Sequence, residues 1–201
     1  MQKFILTLAF ILLCFGSVYS QETAKTDIDP QKSSEYIYQL SLGPAYSFYF
    51  FDIQNLLDFM DESSISRFPF SIDFLFGKKM SDTIAWTISL TTGMDIFSAA
   101  PDSLQLYTVG LTGGFQYIPF KTGLTMGINA GFSILIPNTN LSYKGSTEIG
   151  SSVSLDLGYT FEKFKFSNLG IIPGIEFKFI HSEMFRGSVN QICGYINLGI
   201  R

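Results

Sequence analysis

The chain has 201 residues, a length that suits one domain. Aromatics make up 16% of it, with 21 Phe and 10 Tyr, while charged residues are only 15% against about 25% in an average soluble domain. The net charge of −4 and the absence of any Lys/Arg cluster exclude a nucleic-acid footprint.

Residues 1–20 read as a secretory signal peptide. Lys3 gives the positive start, Phe4 to Phe15 the apolar core, and Val18-Tyr19-Ser20 a small-residue cleavage site before Gln21. Lipoprotein processing at Cys14 is the rival use, but Leu13 stands where a small residue is required. Past Phe15 no run approaches the roughly 18 apolar residues of a spanning helix. A membrane position for the mature chain therefore requires a closed barrel, the other structure that satisfies every backbone group in lipid. Residues 21–35 are polar and aperiodic and read as a flexible periplasmic leader.

From Tyr36 onward the hydrophobic pattern has period two, as on a strand with two unlike faces. The first strand, about Tyr36–Phe50, sets Tyr36, Tyr38, Leu40, Leu42, Tyr46, Phe48 and Phe50 against Gln39, Ser41, Gly43, Ala45 and Ser47. Pro44 within it predicts a bulge. A long connection, Phe51–Arg67, contains a segment with helical spacing, Ile53–Met60. Strand two, about Phe68–Lys78, puts Phe68, Phe70, Ile72, Phe74 and Phe76 outward and Ser71, Asp73 and Gly77 inward.

Strand three, Thr83–Phe97, shows the pattern most clearly. Ile84, Trp86, Ile88, Leu90, Met94 and Ile96 oppose Ala85, Thr87, Ser89, Thr91, Gly93 and Asp95. It is longer than the usual 5–6 residues of a soluble strand and long enough for a tilted membrane strand, which needs roughly 9–11. Further two-faced strands follow at about Leu104–Ile118, Gly123–Ile136, Glu148–Phe161, Leu169–His181 and Ser188–Arg201. In each, Phe, Tyr, Ile, Leu or Val oppose Gly, Ser, Thr, Asn or a charge. The inferred connections alternate: Phe51–Arg67, Ser98–Ser103, Pro137–Thr147 and Ser182–Gly187 form the longer set, and Lys78–Asp82, Pro119–Thr122 and Glu162–Asn168 the shorter.

The fold class predicted is all-β: an eight-stranded antiparallel up-and-down transmembrane β-barrel spanning 36–201, with the aromatic and aliphatic face in lipid. The pattern resembles the small bacterial outer-membrane barrels of the OmpA/OmpX-like kind. That resemblance rests on two-faced strands across Tyr36–Arg201, not on a sequence motif. The last strand, Gly194-Tyr-Ile-Asn-Leu-Gly-Ile-Arg201, has the alternation, but Arg201 stands where such barrels carry an aromatic residue. The resemblance implies outer-membrane lipids and the barrel-insertion machinery as partners, loops outside the cell, and a monomer. An extracellular partner would meet loop Phe51–Arg67.

Aromatic girdles are expected at both interfaces. Tyr36, Tyr38, Phe76, Trp86, Tyr117 and Phe161 form the inner one, with Phe115 and Tyr159. Tyr46, Phe48, Phe50, Phe68, Phe70, Tyr107, Phe177 and Phe179 form the outer one. The inward charges Asp73, Asp95, Asp156, Glu176 and Lys178 form a lumen polar cluster in which Lys178 neutralises an acidic neighbour. The competing reading of that cluster is a narrow ion path, but eight strands leave no wide channel.

Two other functions compete with a structural or surface-interaction barrel. A soluble periplasmic lipocalin-like barrel would turn the greasy face inward round an apolar ligand, overfilling a lumen of this size. A lipid A-modifying enzyme would draw on His181, Ser182 and Glu183, yet adjacent strand residues face opposite ways, which separates the base from its nucleophile. The reading is of a non-enzyme without cofactor or metal. Cys193 is the one thiol after cleavage, and no ligand cluster or phosphate loop is present in the sequence.

Overall fold

The computed structural model describes residues 35–50, 65–99, 102–119, 123–140, 146–161 and 171–200. The expected signal peptide, residues 21–34 of the expected leader, the Ile53–Met60 segment and Arg201 lie outside the described residues. Glu35, the last residue of the expected leader, is tied to the barrel. Its carbonyl accepts from Lys79 N–H at 2.8 Å and its carboxylate lies 3.1 Å from Lys78 Nζ.

The strands are β1 (Tyr36–Gly43), β2 (Ala45–Phe50), β3 (Ser66–Lys79), β4 (Ile84–Ala99), β5 (Asp102–Tyr117), β6 (Leu124–Thr139), β7 (Glu148–Thr160), β8 (Ile171–Met184) and β9 (Gly187–Ile200). β1 and β2 are two halves of one stave, so the wall has eight. Each stave pairs antiparallel with its sequence neighbours, and β1 and β2 pair with β9 to close the ring. Closure satisfies the edge amides that lipid would leave stranded. Among the described residues no helix is long and apolar enough to cross a membrane, which says nothing against strands.

The bulge expected at Pro44 is not there. Leu42 faces Ile196 and Ala45 faces Cys193, so the register against β9 is the same on both sides of the proline. Pro44 lacks an N–H but keeps its carbonyl bond to Gly194 N–H at 3.1 Å, so it interrupts the stave without adding a residue.

The two faces are sorted as the alternation requires. Lys178, Asp73, Ser41 and Ser89 are 0% exposed, whereas Phe132 is 70%, Ile149 63% and Ile196 71% exposed. Large apolar side chains stand exposed on every stave, far beyond the scattered ones of a soluble protein. That overturns the lipocalin-like alternative, whose greasy face would line the lumen.

Several local expectations need correction. Strands β4, β5, β8 and β9 run on to Ala99, Asp102, Met184 and Gly187, so two of the expected long connections shrink to residues 100–101 and 185–186. The tidy long–short alternation is therefore absent. A strand can extend past its hydrophobic pattern wherever backbone pairing continues. Ser66 and Arg67 belong to β3, not to the preceding loop. Phe177 and Phe179 face Leu157 and Leu155 at mid-height, away from the rim. Several residues of the expected inner girdle pack on one another. Phe76 packs on Tyr36, Tyr38 and Trp86 with centroids 6.0, 5.3 and 5.5 Å apart, and Tyr159 packs on Phe161 at 5.3 Å.

The ladder is interrupted at one further place. β1 pairs with β3 up to Gly43↔Ser71, but among the described residues no backbone pairing joins β2 to β3. The cause lies in the sequence. Pro44 turns its carbonyl to β9, and amides and carbonyls alternate sides along an antiparallel strand, so those of Ala45 and Ser47 turn toward β3. Two residues on from Gly43↔Ser71, the same register would set Ala45 against Pro69, which has no N–H to give.

Candidate functional site

The expected lumen cluster resolves into two. The central one is built on β8, where every second residue points inward. Lys178 reaches across the lumen to β3, with Nζ 2.8 Å from Asp73 Oδ1 and 3.8 Å from Asp156 Oδ1 on neighbouring β7. Ser89 Oγ donates to Asp73 at 2.7 Å, and Thr91 Oγ1 donates to the same oxygen. Asn129 Nδ2 donates to Asp156 Oδ2 at 2.6 Å, and Thr87 Oγ1 donates to Asn129 Oδ1 at 2.8 Å. Glu176, one turn of the pleat from Lys178, accepts from Gln39 Nε2 and from Ser41 Oγ at 3.2 Å.

Three carboxylates thus surround one ammonium in a space that excludes solvent. Asp73 is hydrogen-bonded from β4 and β8, Asp156 from β6 and Glu176 from β1, and such partners are what make buried charge tolerable. One oxygen each of Asp73, Asp156 and Glu176 nevertheless keeps no hydrogen-bond partner in the protein. Close packing leaves little room around the network. A Cβ on Gly127 would stand 2.8 Å from Asp156 Oδ2, so only glycine lets that carboxylate lie flat on β6.

Asp95 is not part of this cluster. It sits nearer the β2/β3 end and accepts from Arg67 Nε at 2.9 Å and Nη2 at 2.5 Å, with Tyr49 O–H donating at 3.1 Å. The fork of the guanidinium matches the carboxylate as a bidentate pair. Arg67 Nη2 also donates to Ser47 O at 2.6 Å, across the gap between β2 and β3. Arg67 escaped the sequence reading because it was assigned to a loop. The signal that could have found it is its place two residues before Pro69, on the inward parity of Ser71 and Asp73.

A second feature unforeseen from sequence is an apolar cluster on the inward face at this same end. Tyr49, Phe97, Leu104, Leu106, Leu135 and Met184 pack together there. Below it lies a cavity of about 20 Å³, room for about one water, lined by Thr91, Thr108, Thr112, Ser133, Ser152 and Gln191.

The structure does not bring His181 and Ser182 together. Ser182 is buried in the lumen, where its Oγ donates to Ser152 at 3.3 Å. His181 and Glu183 lie on the other face, with His181 Nδ1 2.7 Å from Asn190 Oδ1 and Nε2 3.6 Å from Glu183. Among the described residues no group of His, Cys, Asp and Glu is arranged to hold a metal ion.

No protein-family model and no curated protein matches the sequence. Solved structures do. The Neisserial surface protein A aligns with 85% of this chain and 99% of its own, at a TM-score of 0.53 and 10% identity. Ail, the attachment invasion locus protein of Yersinia pestis, aligns over 84% and 100%, at 0.54 and 8%. The N-terminal β-barrel domain of Pseudomonas aeruginosa OprF aligns over 84% and 100%, at 0.50 and 10%. At these identities the likeness is one of fold: the chain is an eight-stranded antiparallel closed barrel, as these outer-membrane proteins are.

Proposed function

We propose that the protein is an integral outer-membrane barrel with a structural or surface-interaction role. Its lumen is filled by side chains and is not a wide pore. The observation that carries this reading is the sorting of faces: an apolar exterior on all eight staves around the buried Lys178–Asp73 pair. Hydrocarbon is the surrounding that fits that exterior. Cross-lumen bonds such as Gln191 Nε2 to Thr108 Oγ1 at 3.1 Å and Tyr195 O–H with Ser71 Oγ at 2.9 Å support the plugged lumen.

Residues 1–20 act as a cleaved signal, the barrel-insertion machinery places the chain, and the ends of β1 and β9 lie on the periplasmic side. The connection after β2 then faces outward. Its sequence, residues 51–64, carries Asp52, Asp58, Asp61 and Glu62 and no Lys or Arg. A partner met there is complementary if it is cationic with an apolar patch. The neighbour Ail has been solved with a heparin analogue, sucrose octasulfate; the acidity of residues 51–64 argues against a polyanion at that loop here. The barrel works as a monomer and without catalysis.

The test is cell fractionation with heat-modifiable gel mobility, surface proteolysis within residues 51–64, and planar-bilayer conductance. Recovery in the outer membrane, cleavage from outside and no large-conductance steps are expected. A soluble periplasmic protein, or steps of porin size, would refute the reading.

A further inference from the structure

The cavity between the two charged clusters of the lumen is walled by oxygen. Apart from Gly110 and Ile180, every side chain that lines it carries a hydroxyl or an amide oxygen, and none carries a carboxylate. Its volume of about 20 Å³ admits one particle of water's size. Ser133 on β6 is a second, independent sign of an occupant. It lines the cavity, it is 4% exposed, and its Oγ has no hydrogen-bond partner in the protein. Buried hydroxyls are nearly always bonded, so an orphaned one on a cavity wall marks a ligand group.

The donors on this wall are directed elsewhere. Thr91 O–H goes to Asp73, and Ser182 O–H goes to Ser152 Oγ at 3.3 Å. Gln191 Nε2 donates to Ser47 Oγ at 2.9 Å and to Thr108 Oγ1 at 3.1 Å. A hydroxyl or amide that has given its hydrogens away keeps its oxygen lone pairs. The wall therefore offers an occupant lone pairs more than hydrogens, which suits a cation.

The surrounding charge has the matching sign. Thr91 joins the cavity to the central cluster, where three carboxylates stand against the one ammonium of Lys178. One oxygen each of Asp73, Asp156 and Glu176 is without a hydrogen bond there. On the other side Gln191 leads through Ser47 to Arg67 and Asp95, a balanced pair. The net field is negative, and a buried layer is screened far less than a surface one.

We propose that this cavity binds one dehydrated monovalent cation, potassium or sodium, with Ser133, Thr91 and Thr112 among its oxygen ligands. Neutral oxygens replace the hydration shell of such an ion, as carbonyls do in a selectivity filter. A divalent ion draws carboxylates into its ligand shell, and none lines the cavity. The bound ion offsets the negative layer beneath it. Gly110 provides the room: a Cβ there meets nothing nearer than the Phe132 carbonyl oxygen at 3.8 Å.

The test is urea unfolding of the full barrel in phosphatidylcholine vesicles, followed by gel mobility. Potassium, sodium and choline chloride are compared at one pH and one ionic strength. An ion that binds the folded state alone raises stability with its concentration, so the midpoint should be higher in potassium or sodium than in choline and should rise as that ion replaces choline. Gly110→Ala puts a methyl group into the cavity and should fold with no preference among the salts. Ser133→Ala should show a weakened preference, and it carries the test should Gly110→Ala fail to fold. Rubidium chloride soaked into crystals of the full barrel should give an anomalous peak at the cavity. Equal midpoints in all three salts, a preference undiminished in both variants, or a water without any rubidium peak overturns the site. These outcomes are independent of where the barrel resides in the cell envelope.

Discussion

Lys178 Nζ and Asp73 Oδ1 meet 2.8 Å apart across the lumen, both with side chains 1% exposed or less. They come from β8 and β3, staves that are not neighbours in the wall, so the pair ties opposite sides of the barrel together. Lys178→Met leaves Asp73, Asp156 and Glu176 without their cation. Removing one partner of a buried pair costs about 3–5 kcal/mol, and urea unfolding in vesicles, followed by gel mobility, should show a loss of that size. The double variant Lys178→Met, Asp73→Leu should recover part of it, because the charge left stranded is smaller.

The second polar cluster can be dissected at Tyr49. Its hydroxyl donates to Asp95 at 3.1 Å inside the barrel. A hydrogen bond to a charged group contributes about 1.5–3 kcal/mol, so Tyr49→Phe should destabilise by that much, read from the same unfolding curves. Asp95→Asn should destabilise more, since it also unpairs the guanidinium of Arg67.

Gly131 on β6 faces the lumen against β5. A Cβ there would collide with the Leu111 carbonyl and stand 2.7 Å from Thr112 Cα, both backbone atoms that cannot swing aside. Gly131→Ala should therefore cost more than the roughly 0.5–1 kcal/mol by which alanine is normally preferred to glycine in a strand, and in the opposite direction. Slower insertion into vesicles, timed by gel mobility, is the measurement.

What the sequence made legible was whatever depends on period two. All eight staves and the parity of their faces could be read from positions such as Ile84, Trp86 and Ile88 against Ala85, Thr87 and Ser89. The partner of Lys178 could be narrowed to an inward acid but not chosen, because Asp73, Asp95 and Asp156 share that parity and only the closing of the ring says which lies opposite. Arg67 was out of reach for a different reason. It stands at the end of the hydrophobic pattern, where pairing to Phe97 on β4, not its own neighbours, makes it part of a strand. The inward cluster around Leu104 and Leu106 was hidden in the same way: apolar residues on the inward parity contradict the alternation that revealed the rest.

His181 offers a test of the non-catalytic reading. It is part-exposed, on the face opposite Ser182, and its 3.6 Å contact with Glu183 is open to solvent. Exposed ion pairs contribute about 0–1 kcal/mol, so His181→Ala should shift unfolding by no more than that. Mass spectra of lipid A should be identical in cells with wild type, with the variant and without the gene; a change that follows His181 would contradict the reading.

Spin labels read directly which face of the sheet meets lipid. Single nitroxides placed at each position from Ser152 to Tyr159 on β7, in a Cys193→Ser barrel reconstituted in vesicles, report contact with oxygen dissolved in the hydrocarbon. High oxygen accessibility is predicted at 153, 155, 157 and 159 and low accessibility at 152, 154, 156 and 158. The reverse alternation, or none, would contradict the barrel described above.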